Sequence, residues 1–295
     1  MAPERLRSRE HPDPMAIDRP ARADDAPGPG PPPADGRSDG EQRTRAEAHA
    51  DLRADLRAAD RARDPTDDPH TTADGGWEWK RLRLTPAANQ VADEQLAARR
   101  TAEGRHPDGS YDDRGLTPAL RRVEAQLDHG SLVPDTEKFA LKSPDRFKEK
   151  LAKMIGRRPD TSVQDLSDEI HDGIRYTFLF DSSNYTDQTQ MTCSALVDDG
   201  YELIRLANRW DGEEYKGVNS HWSDPHSGQN FEIQFHTPES WEAKQQTHET
   251  YERIDNPETP VEEVERLRSY QRSVSSSLRL PDRWDEIRDY RKPGH

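Results

Sequence analysis

The sequence predicts an α/β (α+β) domain with one mixed central sheet flanked by helices, preceded by a disordered N-terminal tail. Three observations predict it. All twenty aromatic residues (6 Trp, 8 Tyr, 6 Phe) lie between Trp77 and Tyr290, so residues 1–76 cannot build a core that offsets the entropy of ordering them. Pairs of a capping residue followed by proline mark helix starts at Thr85-Pro86, Thr117-Pro118, Ser143-Pro144, Thr237-Pro238 and Thr259-Pro260. Between them run short or period-two apolar segments of the kind that form strands.

Taken in order, residues 1–40 are rich in Pro, Gly, Asp and Arg, and 41–64 carry only a thin apolar stripe, Leu52 and Leu56. The tail is therefore expected over 1–76, a helical lead-in over 77–116, and the main domain over 117–295. A helix from Pro118 carries Leu120, Val123 and Leu127 on one face and has Gly130 as its stop. A strand is expected over 138–142, leading into a helix from Pro144 with Phe147, Leu151, Met154 and Ile155. A short helix and a strand over 173–180 follow. Strands over 201–209, 215–222 and 229–237 are joined by turn signals at Asp211-Gly212 and 224–228 into an antiparallel meander. Helices from Pro238 and Pro260 close the chain, the last with Val261, Val264, Leu267 and Val274.

The net charge of -15 argues against generic adhesion to nucleic acid or to an anionic membrane, although a basic pocket within an acidic protein remains compatible with it. The single cysteine, Cys193, excludes an intrachain disulfide framework and a multi-cysteine zinc site. No apolar run approaches membrane-spanning length, and no apolar segment follows the first residues as in a signal peptide. The expectation is a cytoplasmic protein with no membrane partner.

Four segments carry chemistry. In 231–237, alternation puts Phe231, Ile233 and Phe235 on one face of a strand and Glu232, Gln234 and His236 on the other. A carboxylate and an amide two residues apart can hold a metal ion and a nucleotide hydroxyl side by side; an amphipathic strand with a wet face has the same pattern. At Leu141-Lys142-Ser143-Pro144 a strand meets a helix N-terminus, which favours phosphate. Lys142 sits at that entrance, and Arg146, Lys150 and Lys153 follow at helical spacing; an ordinary solvated face paired with Asp145 and Glu149 has the same spacing and, from this segment alone, is the commoner case. Asp172 precedes a buried strand and suits Mg²⁺, or simply ends a helix, while Arg175 suits phosphate, a base or a salt bridge. Tyr215, Asn219 and Ser220 supply an aromatic, an amide and a hydroxyl that could meet a base. His221, His226, His236 and His248 lack the helical spacing of a zinc site and read as solvated or core-edge residues.

Together these segments resemble the RelA/SpoT-like synthetase domain, whose motifs occur in the same order over about residues 117–255. The matching residues are Leu141-Lys142-Ser143, Lys148 to Lys150, Gly173-Ile174-Arg175, Tyr215 and Glu232-Ile233-Gln234, followed by a helix with Lys244, His248 and Tyr251. Two departures are visible: the family's magnesium aspartate position is Ile170 here, with Asp172 keeping its strand parity, and the Asn-Gly-Tyr loop reads Glu213-Glu214-Tyr215.

The resemblance implies a nucleotidyltransferase-like pyrophosphokinase that moves the β,γ-pyrophosphate of ATP to the 3′-hydroxyl of a guanine or adenine nucleotide. It implies Lys142, Ser143, Arg146, Lys150 and Arg175 around ATP, with Tyr215 and Asn219 at the acceptor. It implies Mg²⁺ on Asp172 and Glu232, and Glu232 and Gln234 with Asp172 as the catalytic set. Two other readings stay open: a toxin relative acting on RNA 3′ ends such as tRNA, with a neutralising antitoxin or immunity protein, and a catalytically silent nucleotide-binding module. The long N-terminal tail is compatible with a secreted toxin.

Overall fold

The structure is a computed structural model that describes residues 68–256 and 259–294. The tail expected over 1–76 lies outside the described residues except for its end. There His70–Thr71 (β1) already pairs antiparallel with Trp77–Trp79 (β2). β2 in turn pairs with Leu82–Leu84 (β3), so the lead-in expected to be helical opens with a three-stranded sheet.

Pro86–Glu103 (α1) follows, capped by the Thr85 hydroxyl, which accepts from the Ala88 N–H. Leu116–Glu124 (α2) starts two residues earlier than Thr117-Pro118 suggests, because Gly115 occupies the N-cap. Thr117 instead turns its hydroxyl inward, donating to Glu103 at 2.8 Å and lying 2.7 Å from the Tyr176 hydroxyl. Ser131–Leu132 (β4) and a short helix, Thr136–Phe139 (α3), come next. The strand expected over 138–142 is thus helical at its start. Asp135 adopts a left-handed backbone, φ 56°, and its carboxylate meets Lys138 at 3.0 Å, which closes a helical turn. Only Leu141 bridges to Ile174 in extended form.

Pro144–Arg157 (α4) and Val163–Asp168 (α5) are capped by the Ser143 and Ser162 hydroxyls. A single 3₁₀ turn, His171–Gly173, leads into Arg175–Leu179 (β5). Next is a helix the sequence pattern does not announce, Tyr185–Asp198 (α6); its buried face is built largely from Thr186, Thr189, Thr192 and Cys193. The meander is present as Glu202–Asn208 (β6), Val218–Ser223 (β7) and Asn230–His236 (β8). Pro238–Gln246 (α7) opens with a full capping box between Thr237 and Ser240. His248–Ile254 (α8), Val261–Ser275 (α9) and Tyr290–Arg291 (β9) complete the described chain. The helix expected from Thr259-Pro260 starts at Val261 with Pro260 itself as N-cap; the Thr259 hydroxyl donates back to the Arg253 carbonyl.

The main sheet has the order β4-β5-β8-β7-β6-β9, parallel between β5 and β8 and antiparallel elsewhere. It is the expected mixed α/β sheet flanked by helices. Stacked Phe178, Phe180 and Phe235 form its core, with ring centroids 5.8 to 6.1 Å apart. A second cluster joins Trp77, Trp79 and Leu84 of the hairpin to Ala88 and Ala92 of α1 and to Phe147 and Leu151 of α4. The hairpin therefore holds α4, the helix whose N-terminus carries Lys142. No helix among the described residues is long and apolar enough to cross a membrane.

Candidate functional site

β8 lies between parallel β5 and antiparallel β7, and its alternation decides what faces where. Phe231, Ile233 and Phe235 are fully buried on the core side. A slip of one residue would expose all three, so Glu232, Gln234 and His236 are committed to the other face. Register sets their neighbours: Arg175, Glu232 and His221 form one cross-strand row, and Thr177, Gln234 and Asn219 the next. The polar face is covered rather than open to solvent, since Glu232 and Gln234 are each only 5% exposed. Gln234 Nε2 donates to Glu232 Oε1 at 2.8 Å. From α7, Lys244 Nζ donates to Gln234 Oε1 and sits 4.5 Å from the Trp241 ring centre.

Tyr215 reaches this cluster from the loop before β7, outside the strand expected over 215–222. Gly217, with φ 149°, leaves room there: a Cβ would lie 2.9 Å from His236 Cε1. The Tyr215 hydroxyl donates to Asn219 Oδ1 at 2.6 Å and lies 2.9 Å from His236 Nε2. Its ring meets His236 edge-on, centroids 5.3 Å apart. Burial, reinforced by the Glu232 charge, pushes the phenol well above its usual range, so Tyr215 keeps its proton. His236 is buried and pushed toward neutrality by desolvation and by Lys244 and Arg175.

The basic stripe of α4 is divided among carboxylates. Lys142 Nζ pairs with Asp172 Oδ2 at 2.9 Å and Lys150 Nζ with Oδ1 at 2.7 Å. Burial alone would raise the Asp172 carboxyl; the two ammonium groups overcome this and hold it well below the ordinary carboxylate range. Arg146 is held by Glu149 at 3.0 Å and by Glu252 of α8 at 2.6 Å, with its guanidinium 5.1 Å from the Trp79 ring centre. Lys153 pairs with Asp255 and Glu149. The Ser143 hydroxyl accepts from the Arg146 N–H as the helix cap. Glu232, Gln234, Arg175, Tyr215 and Asn219 are thus gathered at β8, Lys142, Lys150 and Asp172 at the mouth of α4, and Arg146 in an ion-pair triad beside it.

Three features escaped the sequence reading. Lys244, named only as part of a closing helix, is tied into the β8 pair. His171 and His221 stack at 4.6 Å; burial first lowers both to about 4, helped at His171 by His221 and Lys150 and at His221 by Arg205 and Lys150. Arg99 of α1 is 1% exposed, donates to the Ser167 carbonyl at 2.9 Å and to Gln95 Oε1 at 2.8 Å, and packs on Phe147. Desolvation lowers it to about 10 against the pull of Asp168 and Asp172. It supports the turn that carries Asp172: a Cβ on Gly173 would lie 2.5 Å from Arg99 Nε. The signal was present, since Ala88, Ala92, Arg99 and Ala102 share the buried stripe of α1.

With this geometry in place, comparison with known proteins adds a likeness. The chain is similar to small alarmone synthetases. Small alarmone synthetase 1 from Bacillus subtilis, bound to its product pppGpp, aligns at 15% identity over 63% of this chain and 92% of that one, with a TM-score of 0.43. A GTP pyrophosphokinase family protein from Streptococcus pneumoniae aligns at 15% identity over 65% of this chain and 90% of that one, with a TM-score of 0.41. No protein-family model and no curated protein matches the sequence. Likeness at this level is too remote to carry residue roles from those proteins to this chain.

A resident magnesium ion held by Asp172 and Glu232 does not fit the arrangement. Each Asp172 oxygen already holds an ammonium group, and Glu232 Oε1 accepts from Gln234. Among the described residues no group of three His, Cys, Asp or Glu side chains is placed to hold a metal.

Proposed function

We propose that the chain is a nucleotide pyrophosphokinase that transfers the β,γ-pyrophosphate of ATP to the ribose 3′-hydroxyl of a guanine or adenine nucleotide. The observation that carries this reading is the Glu232–Gln234 pair, fixed on a central strand beside Arg175 and close to a lysine-lined helix entrance. Glu232 takes the proton of the acceptor hydroxyl. The freed oxygen bonds to the β-phosphorus of ATP, the bond from that phosphorus to the α,β-bridging oxygen breaks, and AMP leaves. Transfer of this type needs positioning and charge neutralisation more than covalent chemistry. Lys142, Arg146, Lys150 and Arg175 supply the positive charge around the phosphates, with those phosphates competing with Asp172 for its two lysines. Gln234 orients the acceptor hydroxyl, and Tyr215 and Asn219 border the acceptor. Magnesium arrives on this reading with its substrate, as the ATP complex.

A second reading, a nucleotide-binding module without transfer, is favoured by the closed Lys142–Asp172–Lys150 arrangement. The two separate in one assay: γ-labelled ATP and magnesium with a panel of GDP, GTP, AMP, ADP and tRNA. The transferase reading expects label on an acceptor, and Glu232→Gln, nearly isosteric, lowers that turnover by about 10²-fold or more while leaving ATP binding intact. ATP binding with no labelled acceptor anywhere in the panel supports the module. Label on tRNA assigns the RNA-modifying form. Toxicity, and with it a neutralising antitoxin or immunity protein, is the finer form of the reading, tested by growth arrest on expression and its loss in Glu232→Gln.

A further inference from the structure

Lys142, Lys148, Lys150, Lys153 and Arg146 each have a carboxylate at ion-pair distance. Lys244 and Arg175 differ: among the described residues neither has one. Lys244 is half-buried, and its ammonium is spent on an amide oxygen and a ring face rather than on a counterion. Arg175, half-buried on β5, faces the same side through its register with Glu232.

The surroundings of Lys244 do not balance the pair. β8 contributes Glu232, Gln234 and His236, and β5 contributes Arg175, beside which Tyr215 stands on the loop before β7. Trp241 comes from α7, and His248, 3.5 Å from Glu252, from α8. Glu232 is the one carboxylate among these that faces both cations, so the cluster carries a surplus positive charge. Holding two like charges partly out of water is costly unless a ligand brings the opposite charge. Burial first, and then Arg175, lower Lys244 to about 7 against the pull of Glu232, and an anion beside it would favour the charged form again.

We propose that Lys244 and Arg175 together seat a phosphate-class anion on the Gln234 side of Glu232. This deepens the nucleotide reading above and rests on it for the source of the anion, which is either the polyphosphate of the donor or the 5′-phosphates of the acceptor. The seat is separate from the Lys142–Asp172–Lys150 arrangement, whose cations already have an internal partner. Gln234 holds one Lys244 N–H and leaves the ammonium's others for oxyanions.

The test is calorimetric titration of the full chain with inorganic pyrophosphate, ATP and GDP in separate arms. Lys244→Met should weaken pyrophosphate binding about tenfold or more, the loss expected for a charge-assisted hydrogen bond. Lys244→Arg should lose less than Lys244→Met, because it keeps the charge although its planar fork differs in shape. Lys138→Met, which removes an exposed lysine on α3, serves as control and should change nothing. A matching loss in the ATP arm alone assigns the seat to the donor, and one in the GDP arm alone to the acceptor. If Lys244→Met does not fold, mass-spectrometric footprinting by reductive methylation of the unaltered protein replaces it, with pyrophosphate expected to protect Lys244. The seat is overturned if folded Lys244→Met binds all three probes as the parent does, or if pyrophosphate leaves Lys244 labelling unchanged. A parent that binds none of the probes overturns both this proposal and the pyrophosphokinase reading. A parent that binds them through Lys244 yet transfers nothing overturns only the latter.

Discussion

Replacing Asp172 by asparagine should move stability and nucleotide affinity in opposite directions. Asp172 holds two lysines: its side chain is 20% exposed, that of Lys142 21% and that of Lys150 41%. Breaking a fully buried pair costs about 3–5 kcal/mol, and an exposed pair is worth about 0–1 kcal/mol. The Lys142 pair lies between these limits, and solvent screens the more exposed Lys150. Asparagine still accepts one hydrogen bond, so the net loss should be about 1–2 kcal/mol. For a domain of this size that lowers the melting temperature by roughly 2–8 °C. The lysines are released at the same time, and ATP affinity should rise roughly threefold to tenfold at low salt, a gain that shrinks at high ionic strength. A thermal melt and an ATP titration on the same preparation check both. A variant with unchanged melting but weakened ATP binding would refute the reasoning, because Asp172 would then serve the ligand rather than the lysines.

Two further outcomes follow from the support beneath that aspartate. Gly173→Ala should lower stability by about 1–3 kcal/mol, the usual cost of overpacking, because the new methyl would lie 2.5 Å from Arg99 Nε and buried Arg99 cannot swing away; an unchanged urea midpoint would show that Arg99 yields freely. Stability should also fall with pH between about 6.5 and 4. His171 and His221 stay neutral down to about 4 in the folded chain, while the unfolded chain takes up their protons near 6.5. The unfolded state therefore binds more protons in that window, stability declines as pH drops through it, and the decline levels off near the folded values. The pair contributes on the order of a few kcal/mol after solvent screening. Urea unfolding at pH 7 and 5 measures it, and a His171→Gln, His221→Gln double variant that kept the full slope would remove the assignment.

Local chemistry made part of this molecule legible before its structure. Phe231, Ile233 and Phe235 oriented Glu232 and Gln234 correctly, and Ser143-Pro144 and Thr237-Pro238 do begin helices with side-chain caps. What stayed hidden depends on less conspicuous signals. Between Tyr185 and Leu196, α6 buries threonines, a glutamine and a cysteine, so it lacks the continuous large apolar stripe that marks an amphipathic helix. The hairpin of Trp77, Trp79, Leu82 and Leu84 alternates plainly, but its turn passes through Lys80 at φ 56° without the usual glycine or asparagine. Helical spacing showed which α4 cations share a face. It could not show that their partners, Glu252 and Asp255, arrive from 106 and 102 residues further along.

The parallel pairing of β5 with β8 sets the order in which the chemistry can assemble during folding. β6, β7 and β8 are consecutive in the chain and pair with their sequence neighbours, so Glu232 and His221 come together by local closure. Arg175 joins them only when the chain closes a loop that contains α6, β6 and β7, a contact of much greater sequence separation. A partly folded chain holding the meander alone has the carboxylate without the guanidinium. An anion that bridges Arg175 to the β8 side therefore reinforces this late, non-local closure, and in its presence the protein should unfold more slowly.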